Sequence, residues 1–201
     1  VLVSTTTDGD GTGGSLTFDV LDDQNGTADI TVTVNDAQGR AIDSEVFTLT
    51  VNAVNDTPIL TEIGDQVTAE DTDFTIDISA SDVDIDENGQ TLTFSAVSSD
   101  TTLVFVTTTT SDSGRAGTLT FDVLDEQNGE AEITVTVTDS EGSVDSEVFT
   151  LTVNAINDTP ILTEIGDQVT AEDTDFTIDI SASDVEIDEN GQTLTFTATS
   201  S

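Results

Sequence analysis

The side chains in this sequence that could do chemistry are carboxylates and carboxamides, and they come in short, spaced runs. Asp82 and Asp84 form an Asp-x-Asp pair in SDVDIDENG, with Asp86 and Asn88 behind them. Glu70 and Asp71 stand together in AEDTD, and Asp125 and Glu126 open DEQNGE as Asp22 and Asp23 open DDQNGT. Asp139 and Glu141 bracket a turn in TDSEG, and Asn55-Asp56 and Asn157-Asp158 each precede Thr-Pro. Groups of this kind have two uses. Paired acids can share acid and base work at a glycosidic bond, and six to eight oxygens can hold a hard divalent cation. A lone acidic pair is more simply a solvated turn. Asp8-Gly9-Asp10-Gly11 is read that way, because it lacks the ligand spacing of an EF-hand loop.

Composition removes most other chemistry. The 201 residues contain Asp+Glu 42 against Lys+Arg 2, a formal net charge of -40, and no Cys, His, Met, Trp or Tyr. The two cations are Arg40 and Arg115. Disulfides, thiolate sites, imidazole ligands, a Ser-His-Asp triad and a lysine Schiff base are therefore all absent. Nucleic acid is excluded as a partner, since binding there begins with cations that neutralise phosphates, and an anionic membrane surface is excluded for the same reason. No apolar run reaches the ~20 residues of a membrane span, so no membrane insertion is expected. The chain starts with Val and contains no Met, which is what a piece of a longer protein looks like.

The elements that must position the acids come from a repeat. LTVNAVNDTPILTEIGDQVTAEDTDFTIDISASDVDIDENGQTLTF returns almost unchanged as LTVNAINDTPILTEIGDQVTAEDTDFTIDISASDVEIDENGQTLTF, and SLTFDVLDDQNGTADITVTVNDAQG returns as TLTFDVLDEQNGEAEITVTVTDSEG. Pro58 recurs as Pro160 and Phe18 as Phe121, so the period is 102 residues in one stretch and 103 in the other, with the extra residue near Arg40 and Ala41. The frame is half, whole, half. Residues 1–54 match the second half of a unit, 55–156 form a complete unit, and 157–201 match the first half.

Alternating apolar and polar residues predict seven strands in the complete unit. They are Ile59–Thr68, Phe74–Ala80, Thr91–Val97, Leu103–Thr109, Thr118–Leu124, Ala131–Val137 and Val148–Asn154. Inward positions include Ile78, Leu92, Phe94, Leu103, Phe105, Leu119, Phe121, Ile133, Phe149 and Leu151. No window has helical periodicity. The expected fold class is all-β: tandem antiparallel Greek-key sandwiches of the immunoglobulin kind, seven strands per repeat. Asp145 and Glu147 are read as outward acids that discourage growth at a sheet edge.

Strand parity then sorts the acidic runs by end. The loops carrying Asp82, Asp84 and Asp139 fall at the upper end of the unit, and the turns carrying Glu70, Asp125 and Glu126 at the lower end. At the upper joint, Asn55 and Asp56 face Asp22 and Asp23 on one side and Asp82, Asp84 and Asp139 on the other. At the lower joint, Asn157 and Asp158 lie between Glu70, Asp125 and Glu126 and, beyond the linker, Asp184 and Glu186. Unpaired acids so placed repel by roughly 1–4 kcal/mol per close pair, and two arginines cannot neutralise them. Calcium, with its preference for carboxylate, carboxamide and backbone oxygens, can. Asp84 is expected to matter far more for such a site than Asp112, which lies in a Ser-Gly loop with no linker ligand nearby.

In this order, LTVNAVNDTP, AEDT, SDVDIDENGQTLTF and ITVTVTDSEG resemble the cadherin-like tandem repeats of large bacterial surface adhesins, and the resemblance spans the whole chain. It implies an extracellular, cell-surface rod with calcium at its joints. Asp82 and Asp84 then match the Asp-x-Asp ligands, Asp139 the acid after the sixth strand, Glu70 the first-turn glutamate, and the two Asn-Asp pairs the linker ligands. Ala53 and Ala155 stand where cadherins place a further aspartate, and Gln127 where they place a second carboxylate. One or two ions per joint, rather than three, is the implied number.

A structural or adhesive repeat needs only a stable sandwich, stiff joints and a soluble surface, and no enzyme activity is expected. The competing reading is a calcium-dependent carbohydrate-binding module whose ligand is a surface polysaccharide, although no Trp or Tyr is present to stack on a sugar. Each half unit would leave an apolar face open. Residues 157–201 are therefore expected to pack against residues 1–54 of another copy, head to tail, or, if the sequence is cut from a longer repeat chain, each half against the adjoining half of its own chain.

Overall fold

The computed structural model describes residues 1–35, 41–111, 114–185, 187 and 191–200. Arg40, Asp112 and Glu186, named above, lie outside them. The first half unit forms two hairpins, β1 (Leu2–Thr7) with β2 (Gly14–Asp19) and β3 (Gly26–Asn35) with β4 (Ala41–Val51). The complete unit contains β5 (Ile59–Leu60), β6 (Gln66–Ala69), β7 (Phe74–Ser81), the short helix α1 (Asp84–Asn88), β8 (Thr93–Ser98), β9 (Val104–Thr110), β10 (Ala116–Val123), β11 (Gly129–Thr138) and β12 (Val144–Asn154). In the last half unit, β13 (Ile161–Leu162) pairs with β14 (Ala182–Ser183). No helix among the described residues is long and apolar enough to cross a membrane.

The complete unit is an immunoglobulin-like sandwich of two four-stranded sheets, ordered β5-β7-β10-β9 and β6-β12-β11-β8. All its pairs are antiparallel except β12 with β6. The period-two pattern explains the packing. Leu119, Phe121 and Val123 of β10 face Ile133, Val135 and Val137 of β11 and Phe149, Leu151 and Val153 of β12, and all are buried. Phe121 stacks on Phe74 with ring centroids 4.4 Å apart and meets Phe149 edge-on at 6.4 Å, which knits the two sheets at their centre.

Four expectations are corrected. The first strand is two pieces. Ile59–Leu60 pairs with β7 in one sheet and Gln66–Ala69 runs parallel to β12 in the other, with Gly64 at φ 71° in the crossing segment. Phe105 is exposed, and Val104 is buried in its place. The turn from Asp100 delivers both Leu103 and Val104 inward, since both N–H groups bond the Asp100 carbonyl, and strand alternation starts only after it. The loop after the second strand contains a helical turn, closed by Gly89 at φ 71°. Asp145 and Glu147 are not free edge acids. Asp145 accepts from the Leu60 N–H at 2.8 Å and Glu147 from the Ile63 N–H at 2.9 Å, so they satisfy the crossing segment's backbone where no ladder can.

Candidate metal centres

The upper joint forms where the linker meets the loop after β7 and the β11–β12 turn. Asn55 is the hinge pin. Its amide donates to Asp139 Oδ2 at 2.9 Å and to Ser143 Oγ at 2.8 Å, and its carbonyl oxygen accepts from Gln90 Nε2. The Asp56 N–H donates to Asp84 Oδ2 at 2.8 Å, and Asn88 Nδ2 donates to Asp84 Oδ1 at 2.6 Å. Helix α1 follows directly: Asp82 Oδ1 accepts the Asp84 N–H at 2.8 Å in the turn that leads into it.

Asp84, Asp139 and Gln90 are buried, which is costly for charged and polar groups unless they are paired. Burial works against ionisation of Asp139, but the Asn55 amide and the backbone N–H groups of Ser143, Gly142 and Glu141 outweigh it and hold its carboxyl below the usual range. Asp82 goes the other way. Burial, with the neighbouring charges of Asp84, Asp139 and Asp56, pushes its carboxyl up. Its Oδ2 is buried with no hydrogen-bond partner among the described residues, and so is Gln90 Oε1. The first half unit closes over this side: Gln24 Nε2 donates to Glu87 at 2.6 Å and Asn25 Nδ2 to Asn88 at 2.9 Å. Asp22 and Asp23 line the resulting cleft of about 310 Å³ together with Asp56 and Asp84.

The lower joint is built differently. Glu70 is buried, accepts the Ile156 N–H and lies 3.4 Å from Asn128 Nδ2, so it ties the departing chain to the β6 turn. Asp71, Glu126 and Asp158 bring carboxylate oxygens within 4.8 Å of one another. Two of the three sit on left-handed backbone, Asp71 at φ 58° and Glu126 at φ 57°, a conformation that costs roughly 1 kcal/mol or more for residues with a Cβ. The Glu126 N–H donates to Asp71 Oδ1 at 2.9 Å, locking the two turns together. Hydrogen bonding to Asp158, then burial, then the charges of Asp158, Asp71 and Glu70 push the Glu126 carboxyl up to about 7. Glu126 Oε2 has no donor among the described residues. Two ionised carboxylates have no hydrogen to share, so a proton or a cation must stand between Glu126 and Asp158.

The parity argument therefore puts the acids at the right ends. Asn55, Asp56, Asp82, Asp84 and Asp139 converge, with Asp22 and Asp23 opposite; Glu70, Glu126 and Asp158 converge at the other joint. Asp125 is exposed and is not part of the trio there. Asn157 accepts from Gln192 Nε2 at 3.0 Å, as Asn55 does from Gln90, and Asp184 is half-buried beyond the linker. Asp71 was missing from the expected ligand set. Its signal was present, because Asp is one of the few residues that tolerate left-handed backbone in a tight turn. Of the two cations, Arg115 pairs with the exposed Asp86 of α1 at 2.6 Å.

The donor sets suit a hard cation. They consist of carboxylates and carboxamides, they contain orphaned carboxylate oxygens, and they include no soft ligand.

Comparisons with known proteins follow the same lines. Residues 55–152 match the bacterial Ig domain. A search of curated protein sequences returned no match. Among solved structures, the protocadherin gammaB7 EC3-6 cis-dimer structure superposes with a TM-score of 0.54 at 25% identity, covering 80% of this chain and 39% of that one. The protocadherin gammaB4 extracellular domain gives a TM-score of 0.52 at 22% identity, over 91% of this chain and 32% of that one. The chain thus spans about a third of the protocadherin chains it matches, and the fold it shares with them is that of an immunoglobulin-like, cadherin-like repeat.

Proposed function

We propose that this chain is a stretch of an extracellular, cell-surface rod of immunoglobulin-like repeats, structural or adhesive in role, whose joints are stiffened by calcium. The observation that supports this reading is the Asp71, Glu126 and Asp158 trio, which draws one carboxylate from each of two turns and one from the linker to within 4.8 Å of one another, close enough for one cation to bridge. At the upper joint the ion would be held by Asp82, with Asp56, Asp84 and Asp139 close by. Bound there, calcium supplies the positive charge that the protein itself withholds, and it converts mutual repulsion into a tie between consecutive repeats.

The surface location is supported by the bacterial Ig match and by the extracellular protocadherin fold, and by a net charge of -40 that keeps a repetitive β-protein soluble. The cleft at the upper joint is lined by acids, amides and aliphatic side chains with no aromatic ring, so a rod is preferred over the carbohydrate-binding module. Calorimetric titration of the chelator-stripped chain with calcium is the test. Saturable binding of about one or two ions per joint is expected, whereas no heat beyond dilution would remove the reading.

A further inference from the structure

The upper joint holds few free oxygens for the number of acids it gathers. Asp84 Oδ1 accepts from the Asn88 amide and Oδ2 from the Asp56 N–H. Asp139 Oδ1 accepts the N–H groups of Glu141, Gly142 and Ser143, and its Oδ2 accepts from Asn55. Asp82 Oδ1 takes the Asp84 N–H. Among the described residues, the buried side-chain oxygens left here without a donor are Asp82 Oδ2 and Gln90 Oε1. The two residues flank the Asp84 backbone, whose N–H donates to Asp82 and whose carbonyl accepts from the Gln90 N–H at 3.2 Å. The close carboxylate trio of the lower joint, with its oxygens within 4.8 Å, has no counterpart among the described residues of the upper one, so a cation held there needs oxygens of another kind.

Hydrogen bonding fixes which end of the Gln90 amide is free. Asn55 gives its Nδ2 hydrogens to the Asp139 carboxylate and the Ser143 hydroxyl, so its other amide atom is an oxygen that needs a donor. Gln90 Nε2 supplies that donor at 2.5 Å, which leaves Oε1 as the remaining end. Gln192 makes the same bond to Asn157 at 3.0 Å in the second copy of this loop, so the pairing is set locally. Gln90 is only 8% exposed, and a buried acceptor with no donor is destabilising. Amide oxygens serve beside carboxylates as calcium ligands. We propose that Gln90 Oε1 is a further ligand of the cation at the upper joint, beside Asp82 Oδ2; the inference rests on the calcium reading above. One amide then does two things. Its nitrogen orients the linker through Asn55 and its oxygen holds the ion, which couples the linker's orientation to ion binding.

Calorimetric titration with calcium tests this in a chain carrying Asp158→Ala, where the lower trio is broken and the heat reports the upper joint. Gln90→Ala removes both the oxygen and the donor, and should weaken calcium by about tenfold or more. Gln90→Glu keeps an oxygen at the same reach but loses the donor to Asn55, and should bind calcium at least as tightly as the parent. Its melting temperature should fall below the parent's in EGTA, where the added carboxylate has no cation, and recover when calcium is restored. The two variants separate a ligand from a residue that only positions Asn55. Equal weakening by both would show the second role and overturn the proposal. So would an unchanged affinity in Gln90→Ala, which would mean that water satisfies the oxygen. Either result leaves the calcium reading standing, whereas absence of binding by the parent would remove that reading and this ligand together.

Discussion

Phe74–Ser81 and residues 176–183 have the same sequence, yet the first is an eight-residue central strand and the second has only its last two residues in a ladder. Ile78 is 4% exposed and its twin Ile180 is 42% exposed. The first half unit behaves otherwise: β1–β2 and β3–β4 keep the hairpins that β9–β10 and β11–β12 make in the complete unit. The difference lies in where each strand's partner is. Hairpin partners are neighbours in sequence and form at little entropic cost. The partners of β7 and β8 lie 40 or so residues on, and without them the same apolar alternation does not make a strand. Alternation states a capacity to be half-buried, and the sheet across the core turns it into structure.

The largest effect expected from this contrast is in the core. Phe121→Ala should destabilise the complete unit by roughly 3–5 kcal/mol, since it removes a fully buried ring stacked on Phe74. Phe18→Ala, the same change in the open copy, should move the unit's urea midpoint by the equivalent of no more than about 0.5 kcal/mol. Equal shifts would contradict a core that the complete unit closes by itself.

Next comes the upper joint. Asp84→Ala strips the acceptor from the Asp56 N–H and the Asn88 amide and should cost about 1–3 kcal/mol. It should also weaken calcium by at least about tenfold in calorimetry. Asp125→Ala, which changes an exposed acid outside the lower trio, should do neither, and a comparable loss would redraw the ligand set.

The smallest effect is on pH dependence. In the folded chain Glu126 keeps its proton up to about pH 7, against an ordinary value of 4.5. The folded state therefore binds more protons than the unfolded one between those values, and without metal its stability should fall as pH rises through that window. Glu126→Gln should flatten this segment of the curve of melting temperature against pH, and calcium should release a proton on binding near pH 6.5. A wild-type curve that rises across the same window would contradict the assigned cause.

Much of this was legible in the residues. The strand faces and the ends at which the acids gather followed from period-two alternation and strand parity, which are local and binary. What escaped depended on backbone geometry that side-chain pattern does not encode. The Asp100 turn sends Leu103 and Val104 inward in succession and puts Phe105 out, and the crossing at Gly64 splits one apparent strand between two sheets. Asp71 joins the lower trio because a left-handed residue turns its carboxylate toward the linker. Asp145 and Glu147 looked like edge protection and instead accept backbone N–H groups of a segment whose path was not visible in the pattern.

The central claim, calcium as the tie between repeats, is tested most directly by small-angle scattering with a parallel melting curve, before and after chelation with EGTA. Salt must be low, because a Debye length of about 3 Å at 1 M would screen the same repulsion. With calcium bound, the scattering should fit one extended shape; chelation should broaden it into an ensemble and lower the melting temperature. Identical scattering and an unchanged melting point in the two conditions would contradict the claim.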